Sequence, residues 1–217
     1  ADVDTAAARM LDLVTKAEAS PAVEGPLDVD AHHALAREAA GRSIVLLQNE
    51  SVADSDGLQR PLLPLDTASS IAVIGEFARS PRFQGGGSSH INPTRVDSAV
   101  DALTEALGGG AQFAPGFAFD AAVPAEEQAR LRDEAVALAA AQDIAVVFLG
   151  LTDDEESEGF DRTHIDLSPA QLTLLDAVLE ANPRTVVVLS NGAVVRLSFA
   201  GRVPAILETW LLGQAGG

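Results

Sequence analysis

Two kinds of segment alternate along most of the chain. Short apolar runs rich in β-branched residues predict strands at 44–47, 71–74, 111–114, 144–149, 185–189 and 205–210. Longer segments predict helices at 30–41, with Asp30 as N-cap, and near 96–107, 124–142 and 168–181. Strands separated by helices of this length are typical of a parallel sheet covered on both faces. The pattern therefore predicts an α/β fold, a three-layer α/β/α sandwich whose mostly parallel sheet has about six strands.

The two ends of the chain depart from this pattern. Residues 4–17 form a candidate amphipathic helix, and a segment rich in Pro and Gly at 20–26 separates it from the rest. At the other end, the chain stops after its last predicted strand without a helix to cover the sheet. These observations predict a slice of a longer protein. Residues 1–27 would end a preceding domain and form a linker, and 28–217 would form an α/β domain truncated at its C-terminus.

The composition is that of an acidic globular protein. With 217 residues, 47% of them hydrophobic, the chain can bury one full core. A formal charge of −18 with only 14 Lys and Arg argues against a nucleic-acid partner, because a polyanion is bound by clustered basic residues. No apolar run approaches the roughly 18 residues that would predict a membrane span, and no secretory signal is visible. The localisation stays unknown, with the cytoplasm slightly favoured.

Two loops that follow strong strand predictions carry the candidate chemistry. The first covers residues 75–90 after the strand at 71–74, and the second covers residues 151–164 after the strand at 144–149. Ligands of open α/β sheets bind at the carboxyl ends of the strands, between two neighbouring strands from which the chain continues toward opposite edges of the sheet. If these two strands flank that point, the loops meet over one crevice and form one site.

The first loop contains three consecutive glycines, Gly85 to Gly87. They lack the Gly-Lys-Ser/Thr ending of a P-loop and the spacing of a dinucleotide fingerprint, so a nucleotide site is not favoured. A flexible turn and a close approach of the backbone to a ligand remain as interpretations. The hydroxyls of Ser88 and Ser89, and His90 at the end of the loop, would suit a sugar ligand.

The second loop is acidic and has six carboxylates within 153–161. On composition alone a solvated run of charge is favoured, and the spacing of an EF-hand calcium site is absent. No metal or cofactor is predicted. The alternative is general acid/base chemistry, in which a carboxylic acid crowded by Glu155, Glu156 and Asp161 has its pKa raised by like charges. In that interpretation Arg162 holds Asp161 ionised, and His164 lies at the far end of the loop.

Several blocks of the chain form a distinctive series: Ile44–Glu50 with Leu63–Leu65, Ile71–Gly75, Gln84–Ser89, Glu158–Arg162, Leu167–Gln171 and Ala205–Gln214. In order and spacing, these blocks resemble glycoside hydrolase family 3. The resemblance covers about residues 28–217 and is to the second, α/β sandwich domain of the β-glucosidase-like members. Residues 4–17 are similar to the last helix of the barrel domain that precedes it in that family.

The resemblance implies a division of catalytic roles between two domains. The barrel supplies an aspartate nucleophile, which this chain lacks, and the sandwich domain supplies an acid/base glutamate, which corresponds to Glu158, with Glu156 as its rival. The loop with Gln84, Ser88 and Ser89 would border the substrate. Ser88 stands where some exo-hydrolases place a sugar-stacking tryptophan, so an aromatic clamp from this loop is not expected. Asp161 and Arg162 would support the acidic loop.

The expected function is therefore that of the acid/base domain of a retaining β-glycosidase, most simply a β-glucosidase, which hydrolyses terminal non-reducing β-D-glycosyl residues. Without its nucleophile the chain should be inactive alone. The expected partners are a carbohydrate substrate and the barrel domain of the same polypeptide. An exposed apolar patch on the barrel-facing side could also form a homo-oligomer. The alternative is a carbohydrate-binding or interaction module without catalytic residues.

Overall fold

The computed structural model describes residues 1–21, 25–54, 56–88, 90–120 and 122–217. The described helices are α1 (Asp2–Ala19), α2 (Val29–Ser43), α3 (Glu76–Arg79), α4 (Ala99–Ala106), α5 (Ala125–Ala141) and α6 (Pro169–Ala181). The strands are β1 (Val45–Asn49), β2 (Ser51–Ala53), β3 (Gln59–Pro61), β4 (Ile71–Ile74), β5 (Ala111–Ala114), β6 (Ile144–Gly150), β7 (Thr185–Ser190) and β8 (Ala205–Glu208).

Six strands form one sheet in the order β1-β8-β7-β6-β4-β5. The five strands from β8 to β5 are parallel to their neighbours, and β1 pairs antiparallel with β8 at the edge. Strands β4, β6 and β7 are almost continuously buried, as expected for strands covered on both faces. The predicted fold, with its mostly parallel six-stranded sheet, is confirmed.

The core lies on both faces of this sheet. Side chains of β4 alternate between the faces: Ala72 and Ile74 pack into one cluster, Ile71 and Val73 into the other. The first cluster includes Leu174 and other buried side chains of α5 and α6. The second is covered by α4 and by the segment around Leu62. Helices on both faces of the sheet give the three layers that the sequence predicts.

Some local predictions need correction. Helix α2 is capped by Asp28, whose Oδ1 accepts a hydrogen bond of 2.9 Å from the amide of Ala31, and Asp30 lies in the first turn instead. The last strand ends at Glu208, because Trp210 turns the chain with a φ of +54°. The hairpin of β2 and β3 and the single turn α3 were not predicted.

Apolar side chains are exposed on helix α1 and along the edge strand β1, among other places. Helix α1 buries none of its residues, as expected for a helix without a partner in the chain. The edge strand β1 and the residue before it leave Ile44 to Leu47 between 38% and 53% exposed. The assignment of residues 1–27 to a preceding domain stays a prediction. In the described part of the chain, no helix is both long and apolar enough to cross a membrane.

Candidate active site

The topology brings the two predicted loops together. Strands β4 and β6 are parallel neighbours, while the chain leads from β4 outward to β5 on one side and from β6 to β7 on the other. The order therefore reverses between β4 and β6, which is where ligands of such sheets bind. The loops meet there, and Gly86 forms an isolated parallel bridge with Ser157. This confirms the prediction that the loops lie over one crevice.

Arg82 joins the loops and was not singled out from the sequence. Its side chain is only 5% exposed. Nε donates to Asp153 Oδ1 at 2.8 Å, and Nη1 donates to Glu156 Oε2 at 2.5 Å and to the carbonyl of Leu151 at 3.2 Å. Nη2 donates to the carbonyl of Glu156 at 2.6 Å. One guanidinium thus holds two carboxylates and two carbonyls of the acidic loop.

The glycines of the first loop permit its close approach to the acidic loop. A Cβ on Gly87, which has a φ of +94°, would lie 2.6 Å from the Cβ of Glu158. A Cβ on Gly86 would lie 3.0 Å from Ser157 Oγ. The sequence left two interpretations open for this loop, a flexible turn and a close approach of its backbone to a ligand. In the structure its backbone closely approaches the acidic loop of the protein itself.

Glu158 is an exposed carboxylate held by the opposite loop. Its Oε2 accepts hydrogen bonds from the Ser88 hydroxyl and, at 3.0 Å, from the Ser88 amide. These two bonds, the hydroxyl first, lower the pKa of Glu158 from its ordinary value. The expectation that like charges raise the pKa of this acid is therefore wrong for the chain alone, because Ser88 stabilises the charged form.

The other carboxylates differ in their surroundings. Glu156 accepts from Arg82 and, at 3.0 Å, from the amide of Gly192 in the loop after β7. Glu155 accepts from the amide and hydroxyl of Thr152 at 2.9 and 3.0 Å. Asp153 pairs with Arg82, whereas Asp154 and Asp161 have no hydrogen bond or ion pair within the described residues. With Glu158 on Ser88, most of the loop's carboxylates are fixed, so a purely solvated run of charge does not describe it.

Arg162 supports the loop in a different way from the one predicted. Its guanidinium donates to the carbonyl of Val194 at 2.9 Å and to that of Asp166 at 3.3 Å. Among the residues that the structure describes, it forms no ion pair with Asp161. Main-chain carbonyls attract the guanidinium here because the end of the acidic loop folds back against the segment after β7. Arg162 therefore anchors the loop through main-chain carbonyls, and the predicted pairing with Asp161 is not found in the described part of the chain.

The remaining predicted residues lie around the same crevice. The side-chain amide of Gln84 exchanges two hydrogen bonds, of 3.0 and 3.1 Å, with the main chain of Ile91 and so closes the first loop. Ser88 contacts Glu158, and Ser89 lies outside the described residues. His90 Nε2 is 3.8 Å from Asp153 Oδ2, whereas His164 is exposed and has no described partner.

An open cavity of about 370 Å³ lies between the loops, and Glu158 is exposed on it together with Phe160, whose side chain is 74% exposed. Arg82, Glu156 and Arg162 also line the cavity. No group of three or more His, Cys, Asp or Glu that could hold a metal ion occurs in the described parts of the chain. Glu158 is thus an accessible carboxylate next to a fixed ion pair of Arg82 and Glu156. A carboxylate in such a position can transfer a proton to or from a bound ligand.

A family model described as the glycosyl hydrolase family 3 C-terminal domain matches residues 44–217. Among curated proteins, the chain is 47% identical over its whole length to an exo-α-(1→6)-L-arabinopyranosidase of Bifidobacterium longum and spans 28% of that protein. It is 40% identical, over 99% of its length, to thermostable β-glucosidase B of Acetivibrio thermocellus, of which it spans 27%. The chain thus covers less than a third of these relatives.

Solved structures give the same picture. The chain is similar to a family 3 β-glucosidase of Bifidobacterium adolescentis, with a TM-score of 0.82 and 47% sequence identity. The match covers 96% of this chain and 29% of that one.

Proposed function

The chain belongs to glycosyl hydrolase family 3, as its C-terminal domain, and from this premise we propose that it supplies the acid/base residue Glu158 to a retaining β-glycosidase. The observation that carries the proposal is the place of Glu158. It is an exposed carboxylate on the cavity above strands β4 and β6, where the strand order reverses, and Ser88 of the opposite loop fixes it by hydrogen bonds. The nucleophile would come from a domain outside this chain.

The contacts of the rival carboxylate favour Glu158. Glu156 is bound by Arg82 and by the amide of Gly192, and its side chain is 19% exposed. Glu156 is thus committed to contacts inside the protein. Glu158 is exposed on the cavity and is held only through Ser88, so a glycosidic oxygen in the cavity could reach its carboxyl more easily.

The proposed reaction has two steps. In the first, the nucleophile attacks the anomeric carbon while protonated Glu158 donates its proton to the departing glycosidic oxygen. In the second, ionised Glu158 takes a proton from water, which attacks the same carbon and releases the sugar with retained configuration. Between the steps Glu158 is ionised, and the Ser88 amide and hydroxyl stabilise that state.

Inactivity of the chain alone is expected because the nucleophile is assigned to another domain. Within the chain, hydrogen bonds from Ser88 stabilise the ionised form of Glu158 and lower its pKa. In retaining enzymes the two carboxyls lie about 5 to 5.5 Å apart, and such a neighbour raises the pKa of the acid. The partner domain would thus supply both the nucleophile and a like charge that favours the protonated form of Glu158.

The substrate class follows from the names of the relatives. We propose a terminal non-reducing β-D-glycosyl residue, with glucose first. An α-L-arabinopyranoside, the substrate in the name of one relative, shares with a β-D-glucoside an equatorial bond at the anomeric carbon in the chair form. Proton donation to the glycosidic oxygen would have the same direction in both cases, so the same role of Glu158 fits either sugar.

Chemical rescue tests the proposal in a glycosidase that carries this chain. Glu158→Ala should lose most turnover, and azide should restore it on a substrate with a good leaving group by replacing water as the nucleophile of the second step. Asp154→Asn is the matched control, since Asp154 lies in the same loop without a described partner. It should leave turnover close to that of the parent enzyme. A Glu158→Ala enzyme with unchanged turnover would refute the role of Glu158.

A separate titration distinguishes the non-catalytic alternative. The isolated chain is titrated with glucose and with cellobiose by calorimetry. Half of a site should bind neither sugar measurably, because the partner domain would supply the rest of the pocket. Tight binding by the isolated chain, combined with full activity of the Glu158→Ala enzyme, would favour a carbohydrate-binding module.

A further inference from the structure

Arg82 is a buried cation whose described partners all lie in one distant loop. It follows α3 in the first loop, and the acceptors of its four hydrogen bonds belong to Leu151, Asp153 and Glu156. A buried guanidinium is stable only when its charge and its donors are matched, and two carboxylates and two carbonyls do so here. The contact is therefore built for a planar fork with donors on several nitrogens.

The position of Glu158 depends on this clamp. Glu156, which Arg82 holds by both its main chain and its side chain, is two residues before Glu158. Ser157 between them forms the bridge to Gly86, and Glu158 then meets Ser88. Residues of the first loop thus contact successive residues of the acidic loop: Arg82 contacts Glu156, Gly86 contacts Ser157, and Ser88 contacts Glu158. A loosened Arg82 would release the side of the acidic loop from which Glu158 projects.

Arg82 also reduces the negative charge of the acidic loop. It compensates Asp153 and Glu156. Glu155, Asp161 and Arg162 are the other charged side chains that line the cavity with Glu158. Without Arg82, two more uncompensated carboxylates would lie in the loop that carries Glu158. The Arg82 guanidinium therefore both fixes the position of the acidic loop and compensates two of its negative charges.

We propose that Arg82 is a positioning residue of the glycosidase, which holds Glu158 in place by clamping residues 151–156 to the loop after β4. The inference rests on the proposed role of Glu158. Arg82 does not need to touch the substrate for this role. Lysine could not replace it, because a single ammonium nitrogen cannot reach four acceptors spread around a planar fork.

The test compares Arg82→Lys and Arg82→Met in a glycosidase that carries this chain. The readout is the ratio of kcat/KM on an unactivated alkyl glycoside to kcat/KM on an activated aryl glycoside, whose leaving group departs without a proton; kcat/KM is used because it does not include the second step, in which Glu158 acts as base. Both variants should lower this ratio about 10- to 100-fold, the size expected for a misplacement near 1 Å. General damage to the fold would lower both rates equally and leave the ratio unchanged, which would overturn the inference.

Control variants make the result specific. Arg79→Met removes another guanidinium of the same segment, one that pairs with Glu76 inside α3. This variant should not change the ratio. If the Arg82 variants do not fold, Asp153→Ala decides, because this side chain is 55% exposed and its removal takes away one acceptor of Arg82. It should lower the ratio by a smaller factor, and an unchanged ratio would contradict the clamp.

Glu158→Gln is measured alongside to separate the two proposals. If it lowers the ratio and the Arg82 variants do not, only the role of Arg82 fails. If Glu158→Gln itself leaves the ratio unchanged, the proposed function fails.

Discussion

Replacing Gly87 by alanine should displace the Glu158 carboxyl without touching it chemically. An added Cβ would lie 2.6 Å from the Cβ of Glu158, whereas ordinary contact begins at 3.4 Å, so the loops must separate by about 0.8 Å. A misplacement of 1 Å can lower a rate by roughly 100-fold. We therefore expect Gly87→Ala to lower kcat on poor leaving groups by about 10- to 100-fold in a glycosidase that carries this chain.

Gly159→Ala is a matched control on the other side of Glu158. Gly159 also has a positive φ, +84° against +94° for Gly87, but a Cβ there would meet no atom within 4 Å. Both substitutions should cost about 1 to 2 kcal/mol in backbone strain, measured as the free energy of unfolding of the chain in urea. Only Gly87→Ala adds the collision with Glu158.

The activity difference between the two variants therefore reports the contact itself. Equal losses of kcat in both variants would mean that backbone strain alone disturbs the site. Full activity of Gly87→Ala would show that the close approach of the loops is not needed for catalysis. Either result would refute the reasoning from the contact between Gly87 and Glu158.

Three further outcomes follow from other parts of the structure. Glu208 is only 6% exposed and its burial raises its pKa, so the folded state binds this proton more tightly and stability should fall as pH rises through the folded-state pKa. Glu208→Gln stays neutral at every pH, so urea unfolding from pH 4 to 8 should show the variant gaining on the parent chain as pH rises; a constant difference would contradict this. Leu174→Ala removes a fully buried side chain between α6 and the sheet and should cost about 3 to 5 kcal/mol in urea unfolding, where a loss below about 1 kcal/mol would show a poorly packed core. Phe160→Ala should leave thermal stability unchanged because the ring is exposed, but it should raise KM of the glycosidase if the ring borders bound sugar, and an unchanged KM would exclude that contact.

The sheet could be predicted from local patterns because its strands are buried on both faces. Runs such as Ile71–Ile74 and Ile144–Gly150 are apolar at successive positions, and this pattern needs no knowledge of distant residues. The strands β2 and β3 are three residues long and mostly exposed, so they carry no such pattern.

The site was only partly predictable, because its decisive contacts are distant in sequence. Arg82 lies 69 to 74 residues from its partners, and a single arginine in a loop gives no sign of a clamp. The same distance explains the wrong expectation for the pKa of Glu158. The neighbouring carboxylates are visible in sequence, but the fold places Ser88 against Glu158 and Arg82 against Glu156. The choice of Glu158 came from the family resemblance, and its contacts support that choice.

The dependence of rate on the leaving group tests the role of Glu158 most directly. In a glycosidase that carries this chain, kcat/KM is measured for a series of aryl glycosides whose leaving groups differ in basicity. If Glu158 protonates the departing oxygen, Glu158→Gln should make the rate fall steeply as the leaving group becomes more basic, while the parent enzyme responds weakly. Parallel lines for the parent enzyme and Glu158→Gln would contradict the account.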